Sequence, residues 1–345
     1  MQEDGRLEMR PPLEIPVETL LVGHKTIQIR LNICMNIHTT LIGLALLFTT
    51  FNTHAKPIDT DLADHLQNVS VTIRAENKYQ SSSGSGVIIT RDIGDEKVTF
   101  VWTCGHVLDH MRNVRTVIRG GMPVKLVEFG SVQIVQEIVE QGRKVGEIKM
   151  DAEVIKYSDP DDGHDLALLM VRAKDYGKDS TEFYLNSKEP IVGIGEELYH
   201  VGSLLGQQGA NSMTRGIVSQ VGRLYGKVEY DQTTATAFPG SSGGGVFLGD
   251  GSYIGMIVRG AGEGFNLYVP VRRMIRWAEE HDIMWAIDTK TKAPTIKDIR
   301  KLPVESAIET DGENKVSGKF KKEFPYHIYT SRKSLNPPSR VLDLK

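Results

Sequence analysis

Ala237-Phe-Pro-Gly-Ser-Ser-Gly-Gly-Gly-Val246 sets Ser242 between Pro239-Gly240 and three consecutive glycines. Glycine runs of this kind occur where the backbone takes positive φ or must approach a neighbour closely. Such a turn lifts a hydroxyl out of the fold and aims neighbouring N–H groups at one point, where a developing oxyanion can be held. The competing reading is a Gly/Ser surface turn, which the decapeptide alone does not separate from the first. A base and an acid elsewhere in the chain decide between them, because an activated serine needs all three groups together.

Composition narrows the class. The 345 residues are 40% hydrophobic and 25% charged, with 34 glycines and 7% aromatics, which fits a loop-rich globular β protein. The formal charge of -3 and the lack of a long basic block give no indication of a nucleic-acid partner.

The N-terminal region reads as an address. Thr39 to Phe51 is an apolar run too short for an ordinary transmembrane helix. Thr53-His54-Ala55 follows, with small residues where a signal peptidase inspects the chain, and then Lys56-Pro57. Met35 is the natural start, which makes 1–34 an over-called upstream segment and 35–55 a signal peptide. Against that start, the stretch after Met35 holds only His38, whereas Lys25 and Arg30 lie upstream. The expected location is secreted or periplasmic, with membrane attachment only if the apolar segment stays uncleaved. Cleavage would remove Cys34 and leave Cys104 alone, with no intramolecular disulfide. Cys104 lies in the apolar run Phe100-Val-Trp-Thr103 and reads as packing rather than as a nucleophile.

Downstream, short alternating stretches separated by glycine turns dominate. Asp61 to Val69 reads as a short helix and Val69 to Arg74 as a strand. Gln80 to Gly86 reads as a turn, Val87 to Thr90 and Lys97 to Thr103 as strands, and Val107 to Met111 as a helical turn. Thr116–Arg119, Val124–Phe129 and Gly146–Lys156 are β-like, and Asp165 opens the apolar strand through Val171. A second series of strands runs from Gly193 to Val269. Val271, Met274, Ile275 and Ala278 then recur at helical spacing. This is the pattern of an all-β barrel or sandwich closed by a helix. Residues 287–345, rich in Lys, Glu, Ser and Pro, read as an extended or disordered tail.

The remaining groups now fall into place: His106 just after a strand, Asp165 before a buried strand, and Ser242 in its turn. This His…Asp…Ser order resembles the trypsin-like (chymotrypsin-fold) serine proteases, and within them the bacterial HtrA/Deg-like peptidases. Seven segments carry the resemblance across residues 66–285: Ser83-Gly-Ser-Gly-Val-Ile-Ile, Thr103-Cys-Gly-His-Val, His164-Asp-Leu-Ala-Leu-Leu, Val201-Gly-Ser-Leu-Leu-Gly, Thr214-Arg-Gly-Ile-Val-Ser, Gln232 through Gly244, and Ile254-Gly-Met-Ile.

The resemblance implies two six-stranded antiparallel β-barrels with a C-terminal helix, in a protease domain spanning 56–286. It assigns Ser242 as nucleophile, His106 as base, Asp165 as orienting acid and the N–H groups of Gly240 and Ser242 as oxyanion hole. Thr236, Met256 and Val258 would line the substrate pocket. Protein or peptide substrates are implied, with no cofactor and no metal; the oligomeric state is left open. Three departures stand out. Ser241 replaces the commoner Asn or Asp before the nucleophile, no PDZ-like domain follows, and Thr236 sits where a basic-specific enzyme would carry an acid. A small or medium apolar P1 residue is therefore expected.

Other readings fit less well. Gly240-Ser-Ser242-Gly-Gly244 also satisfies the G-x-S-x-G of α/β-hydrolases, but that fold requires a histidine after the acid and a helix after the serine. Asp159, Asp161 and Asp162 offer oxygen ligands for calcium, without a complete ligand pattern. A protease-like binding protein without turnover keeps the same fold. One expectation is testable directly: the mature N-terminus of the exported protein, read by intact mass, should be Lys56. A chain retaining residues 39–51 would contradict it.

Overall fold

The computed structural model describes residues 58–305, except 78, 161–163, 174, 175, 177, 178, 226, 227 and 261–263. The upstream segment, the signal-peptide stretch, residues 306–345, and Asp161 and Asp162 of the acidic turn lie outside the described residues. No described helix is long and apolar enough to cross a membrane.

Helix α1 (Thr60–Asn68) opens the described chain, with the Asp59 carboxylate accepting the Asp61 N–H at its N-terminus. Six strands then close a first barrel: β1 (Ser70–Glu76), β2 (Ser81–Ile93), β3 (Glu96–Thr103), β6 (Val132–Glu140), β7 (Arg143–Tyr157) and β8 (Ala167–Val171). Their order around it is β1-β2-β3-β8-β7-β6. Between β3 and β6, β4 (Arg112–Arg119) and β5 (Met122–Phe129) pair only with each other. The second barrel comprises β9 (Glu197–Leu204), β10 (Gly209–Tyr225), β11 (Val228–Thr233), β12 (Gly245–Leu248), β13 (Tyr253–Gly260) and β14 (Asn266–Pro270), in the order β10-β11-β14-β13-β12-β9. Closure leaves neither barrel with an unpaired edge. The fold is the all-β, two-barrel, chymotrypsin-like one expected from the sequence.

The core explains the strand pattern. β8 is buried along its whole length, and the second half of β3 is equally enclosed. Helix α2 (Val271–Glu280) inserts Val271, Met274, Ile275, Trp277 and Ala278. Trp277 meets Trp102 of β3 edge-on at 5.7 Å between ring centres, and the Trp102 indole N–H donates to the Ala286 carbonyl at 2.9 Å. The helix is also tied to its own barrel. The Arg272 guanidinium grips the Asp231 carboxylate of β11 through two hydrogen bonds of 2.7 and 2.6 Å, both groups being buried.

Three expectations change here. Gln80 to Gly86 is not a turn, since β2 begins at Ser81. Its glycines serve close approach: a Cβ on Gly84 would lie 2.6 Å from Val107 Cγ2 and 3.1 Å from the Ser242 carbonyl oxygen. The sequence reading also passed over β6, whose stretch mixes charged and apolar residues as Gln-Ile-Val-Gln-Glu-Ile. Finally, residues 287–305 pack rather than trail away. Ile287 and Ile299 are buried, a short helix α3 (Ile296–Ile299) starts with Thr295 capping the Asp298 N–H, and the Tyr157 N–H donates to the Val304 carbonyl at 2.8 Å. Arg112 forms an ion pair with Glu305. A few well-placed isoleucines suffice here, which an average over 59 mostly polar residues conceals.

His200 of β9 is fully enclosed, with Nδ1 3.0 Å from the Gly245 carbonyl oxygen. Burial lowers its pKa from 6.5 to about 4, only partly opposed by that hydrogen bond. The unfolded chain therefore takes up this proton near pH 6.5, and the folded chain only near pH 4. Stability from His200 is complete above pH 6.5 and falls as the pH drops between the two values, by up to about 3 kcal/mol. His164 and His281 are lowered to about 4 in the same way. Urea unfolding at pH 7.5 and 4.5 should show a smaller pH dependence for His200→Gln than for the unchanged protein. An equal loss in both would contradict a buried neutral imidazole.

Candidate active site

β3 ends at Thr103, and the chain turns through a short 3₁₀ segment, Gly105–Val107, that carries His106. Asp165 lies just before β8, the strand paired with β3 in the register Thr103↔Ala167. Pairing of these two strands thus brings the histidine and the aspartate together. His106 Nδ1 is 2.8 Å from Asp165 Oδ2 and 3.1 Å from Oδ1, while the His106 backbone N–H donates to Oδ1 at 2.8 Å.

The aspartate is fully buried, at 0% exposure, and it holds a left-handed backbone with φ of 52°. Left-handed backbone is uncommon outside glycine, though aspartate tolerates it better than most residues. Burial by itself pushes its carboxyl pKa up. The neighbouring His106, its hydrogen bonds and the charge of Arg259 more than reverse this, so the group lies below its usual value. Asp165 is therefore an ion, and its lone pairs hold the imidazole with Nδ1 carrying the proton. That leaves Nε2 as the basic nitrogen.

Ser242 is half-buried, in the turn that precedes β12. The turn is fixed from the first barrel by one residue. Ser85 of β2 donates its N–H to the Ser242 carbonyl at 2.7 Å and its hydroxyl to the Gly240 carbonyl at 2.7 Å. The same hydroxyl accepts the Ser203 N–H of β9 at 2.7 Å, and the Ser85 carbonyl accepts the Thr103 hydroxyl at 2.7 Å. Gly243 has φ of 86°, and a Cβ there would lie 2.1 Å from the Ser85 carbonyl oxygen. No other residue type fits at that position.

The histidine segment reaches the same place. The Ile257 carbonyl of β13 accepts both the Gly243 N–H at 2.8 Å and the Cys104 thiol at 3.3 Å. His106–Asp165 and the Ser242 turn thus meet across the junction of the two barrels. The Ser242 hydroxyl and His106 Nε2 are not hydrogen-bonded to one another in this structure, and such bonds often tighten only around substrate.

Within the turn, the N–H groups of Ser241, Gly243 and Gly244 donate to the carbonyls of Phe238, Ile257 and Ser241. Those of Gly240 and Ser242 have no acceptor among the described residues. Ser241 is buried, and its hydroxyl accepts the Phe238 N–H at 3.1 Å.

Cys104 is fully buried, and enclosure together with the nearby Asp165 charge raises its thiol well above the ordinary range. It is a packed, protonated thiol. Of the three residues expected around a substrate pocket, Met256 and Val258 are enclosed in the apolar core, whereas Thr236 is half-buried with its carbonyl accepting the Thr214 hydroxyl at 2.8 Å. Ser85 was missed as a functional position. Its signal was present as a serine flanked by two glycines in a segment too apolar further on to be a loop.

The chain is 31% identical over 185 residues to "Serine protease Do-like HtrA" of Lactococcus lactis subsp. cremoris (strain MG1363), covering 51% of this chain and 37% of that protein. The namesake protein of Lactococcus lactis subsp. lactis (strain IL1403) is also 31% identical over 185 residues, with 36% of its length covered. The match thus spans little more than a third of these relatives. Among solved structures, "Crystal structure of the serine endoprotease from Yersinia pestis" aligns over 67% of this chain and 69% of that one, at 19% identity and a TM-score of 0.46. The sequence pattern of the Trypsin-like peptidase domain matches residues 84–256, about half of the chain. With its two closed barrels and the His106, Asp165 and Ser242 segments at their junction, the chain belongs to the trypsin-like peptidase domain family.

Proposed function

We propose that this protein is a serine endopeptidase that hydrolyses peptide bonds in protein substrates through an acyl-enzyme intermediate on Ser242. The observation that carries the proposal is the buried Asp165 carboxylate locked onto His106 Nδ1, opposite a serine turn with two uncommitted amides. His106 Nε2 takes the Ser242 proton as Oγ attacks the scissile carbonyl. The oxyanion forms between the N–H groups of Gly240 and Ser242. The imidazolium is stabilised by Asp165 and gives its proton to the leaving amine. Water then repeats the sequence to release the acid and restore the hydroxyl.

Thr236 is the side chain we assign to the base of the substrate pocket. Its neutral hydroxyl offers no counter-ion for lysine or arginine, which supports a small or medium apolar P1 residue. The working protein comprises the protease domain from 56 onward, delivered outside the cytoplasm by the signal peptide 35–55.

Purified residues 56–345 should cleave casein and react with an organophosphonate at Ser242. Ser242→Ala should abolish labelling and lower turnover by about six orders of magnitude. Undiminished labelling of Ser242→Ala would show that the nucleophile is elsewhere. An unchanged protein that neither labels nor cleaves would instead be a protease-like binding protein.

The Ser85 bracket makes a separate prediction. Ser85→Ala removes the hydroxyl bonds to Gly240 and Ser203, leaving a buried Ser203 N–H and a half-buried Gly240 carbonyl without their partner, at about 1–3 kcal/mol. A folded Ser85→Ala protein should turn over roughly 10- to 100-fold more slowly. A kcat within twofold of the unchanged protein would mean that the turn holds its shape without the bracket.

A further inference from the structure

Asp165 presents a problem that its own contacts do not solve. A non-glycine residue in left-handed backbone persists only where the surroundings impose it. The bonds from His106 hold the carboxylate, but they do not hold the peptide that precedes it. That peptide, between His164 and Asp165, is held from the far side of the molecule.

Arg273 on helix α2 is 7% exposed and reaches across the barrel junction. Its Nη2 donates to the His164 carbonyl at 3.0 Å and its Nη1 to the Glu229 carbonyl of β11 at 3.1 Å. The guanidinium lies over the Tyr230 ring, 4.8 Å from its centre. Carbonyl, carbonyl and ring face leave the planar group one orientation, which a flexible ammonium would not share. The His164 carbonyl carbon is one of the four atoms that define φ of Asp165; Arg273 holds that end of the torsion while the bonds to His106 hold the side chain on the other. Asp165 and Arg273 also attract each other electrostatically.

We propose that Arg273 is a positioning residue for the reaction: through the His164 carbonyl it holds Asp165 in its left-handed conformation, and thereby keeps the carboxylate on His106 Nδ1. The acid of the first barrel is thus aligned by the helix and strand of the second. The inference rests on the serine-protease reading for its kinetic consequence, but its structural part stands without turnover. Desolvating a guanidinium is costly, and here two main-chain carbonyls receive it, one belonging to the residue next to the acid.

The groups facing Asp165 are His106, Cys104, Arg259 and Arg273. Arg273→Met keeps much of the side-chain volume but cannot donate. Arg273→Lys can reach one carbonyl but not both at the same geometry. In Arg273→Met the downfield proton resonance of the His106 Nδ1–H, read by NMR near neutral pH, should weaken or move upfield. kcat should drop about 10- to 100-fold with KM within twofold. Arg273→Lys should recover part of both.

Should Arg273→Met fail to fold, the Lys variant carries the test alone, with an intermediate resonance and kcat expected. A folded variant with an unchanged downfield resonance and an unchanged kcat would overturn the proposal. So would a rise in KM with kcat preserved. If the unchanged protein shows no organophosphonate labelling, the protease reading fails instead, and the resonance still decides whether Arg273 positions Asp165.

Discussion

Ser85 is where the two barrels become one site. A serine turn rich in glycine has no intrinsic reason to hold one shape, since each glycine adds backbone freedom that folding must remove. Here the restraint comes from outside the turn. One buried residue of β2 donates twice to the turn, at the Ser242 and Gly240 carbonyls, and joins Ser203 of β9 through the same hydroxyl. The N–H groups of Gly240 and Ser242 themselves have no acceptor among the described residues. Preorganised donors of this kind need no rearrangement when charge develops, which is the physical basis of oxyanion stabilisation.

The electrostatics of the acid follow a related logic. Full burial of a carboxylate is unfavourable, and Asp165 remains ionised because His106 and Arg259 compensate. Strand pairing supplies the geometry, as β3 and β8 run side by side and end at His106 and Asp165. The same burial that penalises a free charge keeps water away from the His106–Asp165 contact, so the imidazole has one stable tautomer. Cys104, two residues before His106, fills space and hydrogen-bonds the Ile257 carbonyl as a neutral thiol. Its unreactive character is a consequence of position, not of cysteine chemistry.

Much of this was legible in the sequence, and the exceptions have physical causes. His106, Asp165 and Ser242 each stand beside a strong local signal, namely a strand end, an apolar run or a glycine turn. The closing helix showed its periodicity at Val271, Met274, Ile275 and Ala278. Ser85 did not stand out, because its role is a cross-barrel contact that no local pattern encodes. Its flanking glycines pointed to a turn, although what they provide is room for Val107, Val101 and the Ser242 carbonyl against an extended strand. Met256 and Val258, named for a pocket, are core residues. Their alternation along β13 does not distinguish a strand face turned to a cleft from one turned to a packed interior. Residues 287–305 were hidden by averaging, since Ile287 and Ile299 are few among many polar neighbours.

On the proposed mechanism, a bracketed serine turn presents its hydroxyl and two amides to one reacting atom, opposite an Asp-held imidazole. A crystal structure of the organophosphonate adduct tests it most directly. Phosphorus should be bonded to Ser242 Oγ, with a phosphonyl oxygen about 3 Å from the nitrogens of both Gly240 and Ser242. His106 should remain bonded to Asp165 in that complex. Phosphorus on another residue, or a phosphonyl oxygen turned away from both amides, would contradict it.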